Sequence, residues 1–479
     1  MKHKNKLLEK VIKKYSFNGD ENFELKNPAT DELICKLEAK SAEYVRDNIL
    51  VSKHAQNIFK DTLSIEKSKL LAKWYELVME NIDELAEIIT LESGKPLEEA
   101  KGEVKYGANF IQWYAEKAKR IDSRVFDPNV ENAEGRVDYQ PVGVVAAITP
   151  WNFPFAMITR KVAPAIAAGC SVILKPSELT PLAAFAAREL FIEAGADESL
   201  LQVICGDSSI IGKEFQQSDV VRKITFTGST KVGKLLMKQS ADTVKKISLE
   251  LGGNAPFIVF ESADLDKAVE GLVASKIRNA GQVCIAPNRV FVDSKIKKDF
   301  ITKLEVAIKN LKQGNGLENG VKIGPLINKS AVEKVQSHVN DALSKGAELV
   351  CGGRVNLELG GNFFEPTILD NMQDTMISSC EETFGPVIAI FSFDKEDEVI
   401  QRSNNTSYGL ASYFYSSDMN QIRRVKSALE YGMVGINIGS ISSEKAPFGG
   451  VKESGLGREG SDDGIYEFLE AKYSLQSFI

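Results

Sequence analysis

The chain has 479 residues, more than one hydrophobic core organises, so two or three domains are expected. Hydrophobic residues at 43% and charged residues at 26% give an ordinary soluble, globular balance. With 59 Lys plus Arg against 66 Asp plus Glu, the net charge of -7 argues against a nucleic-acid partner, and a small anion can be held only by local cations.

Taken in chain order, residues 1–15 are Lys-rich and lack a long apolar core, so they do not read as a secretory signal. Residues 41–120 are rich in helix formers with apolar side chains at three- and four-residue spacing. Examples are Leu70, Leu71, Trp74, Leu77 and Val78, then Leu85, Ile88 and Ile89. Residues 121–140 are polar and turn-rich and predict a hairpin or arm. Strands follow at 142–148, 171–174, 201–204 and 224–227, with a helix at 180–194, the alternation that builds a parallel α/β sheet. It resumes at 257–260, 289–292 and 387–393, which predicts a second α/β domain. Residues 473–479 read as an edge strand able to pair with a partner. The longest apolar run, 162–174, is broken by Pro164 and Gly169 and is too short to span a bilayer. The expected location is the cytoplasm. No repeat or low-complexity linker interrupts the chain.

The cysteines are Cys35, Cys170, Cys205, Cys284, Cys351 and Cys380, with no CxxC pair and no zinc-ligand spacing. Most read as buried small hydrophobes, their sparse use fits a reducing compartment, and no metal site is expected. None of His3, His54 and His338 lies in a motif-like stretch, so a Ser-His-Asp or Cys-His arrangement lacks its usual base.

Six segments carry chemistry-bearing residues. The first, Gly228 to Lys234 (GSTKVGK), follows a strand and opens a helix, where backbone N–H groups can hold a phosphate. It nearly matches GxxxxGK[ST], but Leu235 stands where a nucleotide triphosphatase needs a hydroxyl for magnesium. That enzyme class is the rival reading, and an unliganded turn the plainer one. Asn279 to Cys284 (NAGQVC) is an irregular small-residue loop ending in a cysteine, although a lone cysteine is usually inert. Glu250, among apolar residues beside Gly252 and Gly253, would have its pKa raised toward the range of a general base. Otherwise it caps a helix or faces solvent. Asn152, held between Pro150 and Pro154 after a strand end, can donate to an oxyanion or serve the turn alone. Lys175 and Glu178 follow another strand and could bind sugar hydroxyls, or be surface residues. The loop at Glu381 to Pro386 (EETFGP) is equally open.

Together the segments TPWNFP, KPSELTP, FTGSTKVG, LELGG, GQVC, EETFGPV and PFGGVKESGLGRE resemble the aldehyde dehydrogenase superfamily, in that family's order over nearly the whole chain. The resemblance implies two parallel-sheet α/β domains, one a Rossmann-like cofactor domain and one catalytic, plus a small β arm for oligomerisation. The expected bounds are 1–120 with 142–250, then 251–445, and 121–141 with 462–479. It implies Cys284 as nucleophile, Glu250 as general base and Asn152 as oxyanion donor. It places Lys175 and Glu178 on the adenine ribose, Gly228 and Ser229 at the pyrophosphate turn, and Trp151, Glu382 and Phe384 around the cofactor, with Glu382 near the nicotinamide ribose. The implied cycle passes through a thiohemiacetal and a thioester on Cys284, with hydride passing to the cofactor between them. Glu178 favours NAD, since a carboxylate repels a 2′-phosphate, although some members with this residue also use NADP. A homodimer or homotetramer is implied.

Within the superfamily the stretches at 156–170, 249–260, 274–284 and 435–461 most resemble the succinate-semialdehyde dehydrogenases. Arg160 and Arg278 match that group's two carboxylate-binding arginines, and Ser442 lies in a loop that supplies a further donor. The plainer reading of each Arg is an ordinary salt bridge or surface charge. A semialdehyde one methylene longer, glutarate semialdehyde, is the rival substrate, because a methylene changes binding by only about 1–3 kcal/mol. Some members carry a second cysteine two residues after the nucleophile. Here Ala286 stands there, so no redox disulfide of that kind can form.

Overall fold

The computed structural model describes residues 5–478, so His3 and Ile479 lie outside the described residues. The first large sheet has six strands in the spatial order Gly455–Leu456, Lys246–Glu250, Val221–Thr227, Val144–Ile148, Ser171–Lys175, Leu201–Val203. All run parallel except the edge strand Gly455–Leu456, whose Gly455 pairs antiparallel with Glu250. Val144–Ile148 is central and comes first of these strands in the chain, so strand order reverses around it. In open α/β sheets a crevice for ligands forms beyond the carboxyl ends of strands at such a point. Its inward residues Val144 to Ala147 are fully buried, as a parallel strand covered on both faces requires.

The second sheet has seven strands, in the order Glu348–Cys351, Thr367–Asp370, Val387–Phe393, Pro287–Asp293, Ala255–Val259, Ala411–Tyr415, Met433–Ile436. Only Glu348–Cys351 is antiparallel to its neighbour. Order again reverses around its first strand in the chain, Ala255–Val259. The two main hydrophobic clusters follow these sheets. Phe153, Ala156 and Met157, which come after the central strand of the first sheet, pack into the core of the second. That crossing places the two reversal points against one another.

Four helices, Ala42–Phe59, Ser64–Glu80, Ile82–Ser93 and Leu97–Lys117, fill the helical region expected at 41–120. Leu71, Trp74, Leu77 and Val78 are buried, and Trp74 Nε1 donates to Ala187 O at 3.1 Å, tying this layer to the helix Leu182–Glu193. Gly94, at φ 78, stops the third helix in the left-handed conformation that favours glycine. The helix Ala156–Ala168 is buried along its whole length, which obliges its two charges, Arg160 and Lys161, to find partners.

The polar segment after residue 120 forms strands Arg124–Phe126 and Ala133–Pro141, joined by the C-terminal strand Leu469–Ser477 in one antiparallel sheet. The C-terminal strand starts earlier than the sequence predicts. It pairs within its own chain from Leu469↔Pro141 to Ser477↔Ala133, and its other edge is open. Residues 446–461, which the expected boundaries leave unassigned, supply the edge strand of the first sheet. No described helix is long and apolar enough to cross a membrane. Among the described residues no group of three or more His, Cys, Asp or Glu could hold a metal ion.

Candidate active site

Where the two sheets face each other lies a cavity of about 400 Å³. Its walls bring together Trp151, Asn152, Arg160, Gly228, Ser229, Arg278, Cys284, Glu382, Phe384 and Ser442 from segments far apart in the chain. Glu250 adjoins it through Leu251 and Gly252, which do line it. Lys175 and Glu178 do not line it. They sit together at the end of the neighbouring strand, with Nζ to Oε1 at 2.5 Å and Ser208 Oγ donating to Glu178 Oε1 at 2.8 Å. The two places are joined by Thr149 N donating to Lys175 O at 3.1 Å and Thr180 Oγ1 to Trp151 O at 3.3 Å.

Cys284 is half-buried at the end of a turn in which Asn279, Ala280 and Gly281 have φ of 50°, 54° and 76°. A left-handed conformation costs roughly 1–2 kcal/mol for a residue with a side chain, so the turn needs outside support. Asn279 provides it. Its N–H donates to Glu99 Oε2 at 2.8 Å, and its Nδ2 donates to Asn152 O at 3.1 Å and Gln282 O at 3.2 Å. Gly281 admits no side chain, since a Cβ would stand 2.1 Å from Gly385 O. The reactive loop is therefore pressed against the loop that carries Glu382 and Phe384. Burial, then the Glu382 carboxylate, push the Cys284 thiol up to about 12, although Arg160 opposes them. At neutral pH the sulfur carries its proton and needs a base.

Asn152 follows the central strand of the first sheet. Its Nδ2 donates to Gln282 O at 3.0 Å, which leaves the second amide hydrogen uncommitted, and its buried Oδ1 has no partner. Glu250 ends the strand Lys246–Glu250 rather than capping a helix. It is buried, and its Oε2 has no partner. Burial and then the nearby Glu459 raise its pKa well above the carboxylate range, against the pull of Arg160, Lys161 and Arg458. A side chain on Gly449 would come within 2.9 Å of Glu250 Oε1, so the GG pair after Phe448 is what admits the carboxylate.

Arg160 is 2% exposed. Its Nε faces Glu459 Oε2 at 2.9 Å, the guanidinium lies 3.9 Å from the Phe448 ring, and Nη2 has no hydrogen-bond partner. Arg278 makes no ion pair among the described residues and lies 4.6 Å over the Phe153 ring. Two guanidinium groups with spare donors thus line one cavity with a cysteine, an arrangement suited to a substrate carboxylate. Ser442 adds a half-buried hydroxyl.

The residues read as cofactor-binding fit a dinucleotide. The helix Thr230–Ser240 presents its N-terminus toward the cavity after Gly228, and Ser229 Oγ accepts from Val232 N at 3.4 Å. A Cβ on Gly252 would reach within 3.3 Å of Glu382 Oε2 and 3.5 Å of Thr230 Oγ1, so its absence keeps the floor open. Glu382 Oε1 accepts from Gly253 N at 3.4 Å, and burial raises this carboxyl to about 7. Phe384, at φ 54, meets Trp151 edge-on at 5.5 Å and walls the same region. Lys234, the residue that would mark a triphosphatase, is 58% exposed and paired with Glu453 at 2.7 Å.

Sequence reasoning missed the buried polar residues around these groups. Lys161 Nζ donates to Glu459 Oε1 and to Thr227 Oγ1, the latter at 2.6 Å. Glu103 and Lys95 form a second buried ion pair under Asn152. Tyr106 lines the cavity, and its buried hydroxyl has no partner. The available signal was a charge inside a strongly apolar stretch, which Lys161 displays and the others do not.

Comparison with known proteins gives concordant results. The family model described as "Aldehyde dehydrogenase family" matches residues 15–474. A succinate semialdehyde dehydrogenase of Acinetobacter baylyi is 53% identical over 449 residues, 94% of this chain and 93% of that protein. A glutarate-semialdehyde dehydrogenase of Pseudomonas putida is 51% identical over 456 residues, 95% of this chain and 94% of that protein. The crystal structure of an E. coli NADP dependent enzyme superposes with a TM-score of 0.95 at 49% identity, covering 97% of this chain and 96% of that one.

Proposed function

The chain belongs to the aldehyde dehydrogenase family of NAD(P)-dependent oxidoreductases, and from that premise we propose that it oxidises succinate semialdehyde to succinate, carrying the acyl group on Cys284. The observation that carries the substrate assignment is the pair of guanidinium groups in the cavity, Arg160 with an unpartnered Nη2 and Arg278 with no ion pair among the described residues. An aldehyde bearing a carboxylate satisfies both, whereas a neutral one leaves the buried Arg160 donor unpaired and Arg278 to solvent alone.

Catalysis begins with proton loss from Cys284, for which Glu250 is the base. As the Sγ–C bond forms, the aldehyde oxygen takes negative charge and accepts from the free Asn152 Nδ2–H and the Cys284 N–H, each donor worth about 3 kcal/mol in such a site. A nicotinamide cofactor, which Trp151, Gly228, Ser229, Glu382 and Phe384 would hold, would supply the acceptor for the hydride lost from the former aldehyde carbon as the thioester forms. Glu250 passes the proton taken from Cys284 to solvent, and then takes a second one from water as the water oxygen bonds to the acyl carbon. The S–C bond breaks, the sulfur regains a proton, and the carboxylate product leaves. Burial and the nearby Glu459 raise the pKa of Glu250, which makes it a stronger proton acceptor than an ordinary carboxylate for both transfers.

For the cofactor we propose NAD in preference to NADP, on the position of the Glu178 carboxylate beside Lys175 and Ser208. Residues 1–120 with 142–250 form the proposed cofactor domain, 251–445 the catalytic domain, and 121–141 with 462–479 the arm. The open edge of Leu469–Ser477, with Tyr473 and Leu475 exposed, supports an arm that joins copies into a dimer or tetramer, and the cytoplasm is the proposed location. Glutarate semialdehyde is the second reading, favoured by the Pseudomonas putida relative. The test is a panel of succinate semialdehyde, glutarate semialdehyde and butyraldehyde with NAD and with NADP, following the absorbance of the reduced cofactor. Succinate semialdehyde should give the highest kcat/KM. Equal turnover of butyraldehyde would refute the carboxylate reading.

A further inference from the structure

We propose that Lys95, together with Glu103, is a positioning residue that aims the Asn152 amide at the developing oxyanion. The inference rests on the oxyanion role given to Asn152 above.

Lys95 is 2% exposed and Glu103 1% exposed, so this ion pair has been taken out of water at considerable cost. A buried pair is weak evidence for stability, since apolar residues of similar volume would often serve the fold as well. Its remaining contacts indicate what it is for. Lys95 Nζ donates to Asn152 O at 2.7 Å and lies 4.1 Å over the Phe153 ring. Glu103 Oε1 accepts from the N–H groups of Phe155 at 2.9 Å and Ala156 at 3.2 Å, the start of the helix Ala156–Ala168. The pair therefore grips the turn 152–156 from both ends.

Lys95 is itself held by the opposite half of the molecule. Its carbonyl would lie 2.5 Å from a Cβ on Gly316, and the carbonyl of Gly94 would lie 2.1 Å from one on Gly324. Leu97 N also donates to Gly316 O at 2.9 Å. The turn that bears Asn152 belongs to the first sheet, and the loop 314–326 belongs with the second core. Lys95 fixes one against the other. Asn279 Nδ2 shares the Asn152 carbonyl, so the turn that ends at Cys284 converges on the same oxygen. Nucleophile and oxyanion donor are thereby referenced to one point. A displacement of an ångström in such a site can cost about 100-fold in rate.

The experiment is a double-mutant cycle on the full-length protein, with Lys95→Met, Asn152→Ala and the double variant. The readouts are kcat and KM for succinate semialdehyde, NAD affinity by fluorescence quenching, and Tm. Asn152→Ala alone should lower kcat by about 100-fold or more. Lys95→Met alone should lower kcat by about 10- to 100-fold, with KM and NAD affinity little changed. In the Asn152→Ala background it should cost less than about 2-fold, because the group it aims is gone. A Lys95→Met loss of equal size in both backgrounds overturns the proposal. Should Lys95→Met fail to fold, Lys95→Arg, which keeps the charge and displaces the donor, takes its place in the cycle with the same pattern required. If Asn152→Ala costs nothing, the oxyanion role itself is wrong, an outcome distinct from Lys95 acting elsewhere.

Discussion

Replacing Arg278 with Met isolates the recognition of the substrate carboxylate from the chemistry. Met keeps much of the side-chain volume and removes the charge and all five donors. Arg278 has no ion pair among the described residues, and its charge is one of several, with Lys95 and Lys322, that stabilise the buried Glu99 carboxylate, so the change leaves that carboxylate with its other partners. The loss within the fold is the contact with the Phe153 ring, about 0.5–1 kcal/mol for a partly exposed pair. The loss to an anionic substrate is larger. A hydrogen bond to a charged group is worth about 1.5–3 kcal/mol, which corresponds to about 10- to 150-fold in affinity. Arg278 is half-exposed and partly screened, so the lower half of that range, about 10- to 40-fold, is expected. The cation touches a part of the substrate that does not react, so the loss belongs in KM, with kcat nearly unchanged. Steady-state assays with succinate semialdehyde and with butyraldehyde give the answer. A fall in kcat/KM shared equally by both aldehydes, or by neither, would refute the reasoning.

The other site residues give sharper contrasts. Cys284→Ser exchanges the thiol for a hydroxyl that ionises far less readily and makes a less reactive acyl carrier, so turnover should fall by about 10⁴-fold or more while NAD still binds; native turnover would end the covalent scheme. Glu250→Gln removes the base for both thiol activation and hydrolysis, so the first release of reduced cofactor in stopped-flow traces should slow together with the steady state, and a trace at the native rate would count against it. Glu178→Ser removes the carboxylate proposed to meet the ribose and breaks the pair with Lys175, so the NADP to NAD ratio of kcat/KM should rise by about 10- to 100-fold; an unchanged ratio would place cofactor choice elsewhere.

How far the sequence reached can be judged element by element. Val387–Phe393 appears at the predicted residues, and Val144–Ile148, Ser171–Lys175 and Pro287–Asp293 lie within a few residues of prediction, because apolar β-branched runs between turns admit little else. Lys246–Glu250, Thr367–Asp370, Ala411–Tyr415 and Met433–Ile436 were not predicted. They are short, and Glu250 sits where a strand gives way to a glycine pair, so its carboxylate looked like a cap or surface group. The family resemblance placed residues in the cavity that periodicity could not, among them Trp151, Glu382 and Ser442. The supporting charges stayed hidden for a physical reason. Lys95, Glu103 and Glu459 occur in ordinary polar sequence, where a charged residue is normally solvated. Glu459 meets Lys161 across 298 residues, a contact that local patterns cannot signal.

That hidden cluster leads to a dependence of the pH profile on the substrate. Glu250 acts as a base only when ionised, and its pKa is set by burial and Glu459 pushing it up against Arg160, Lys161 and Arg458 pulling it down. A substrate carboxylate on Arg160 neutralises part of the first of these pulls. The Glu250 pKa must then rise further, because less positive potential remains to stabilise its charge. A neutral aldehyde leaves Arg160 as it is. The acidic limb of kcat, which reports the ionisation of the base in the substrate complex, should therefore lie at higher pH for succinate semialdehyde than for butyraldehyde. The same reasoning fixes the effect on the fold. A carboxyl with a raised native pKa binds its proton more tightly folded than unfolded, so its contribution favours the fold at low pH and is lost as pH rises through the native value. Bound succinate, by raising that value, should carry the stability conferred by the protonated form to higher pH. Profiles of kcat against pH for the two aldehydes, with Tm against pH with and without succinate, check both statements. Coincident limbs, or a limb displaced to lower pH for the anionic aldehyde, would mean that Arg160 does not serve carboxylate and base at once.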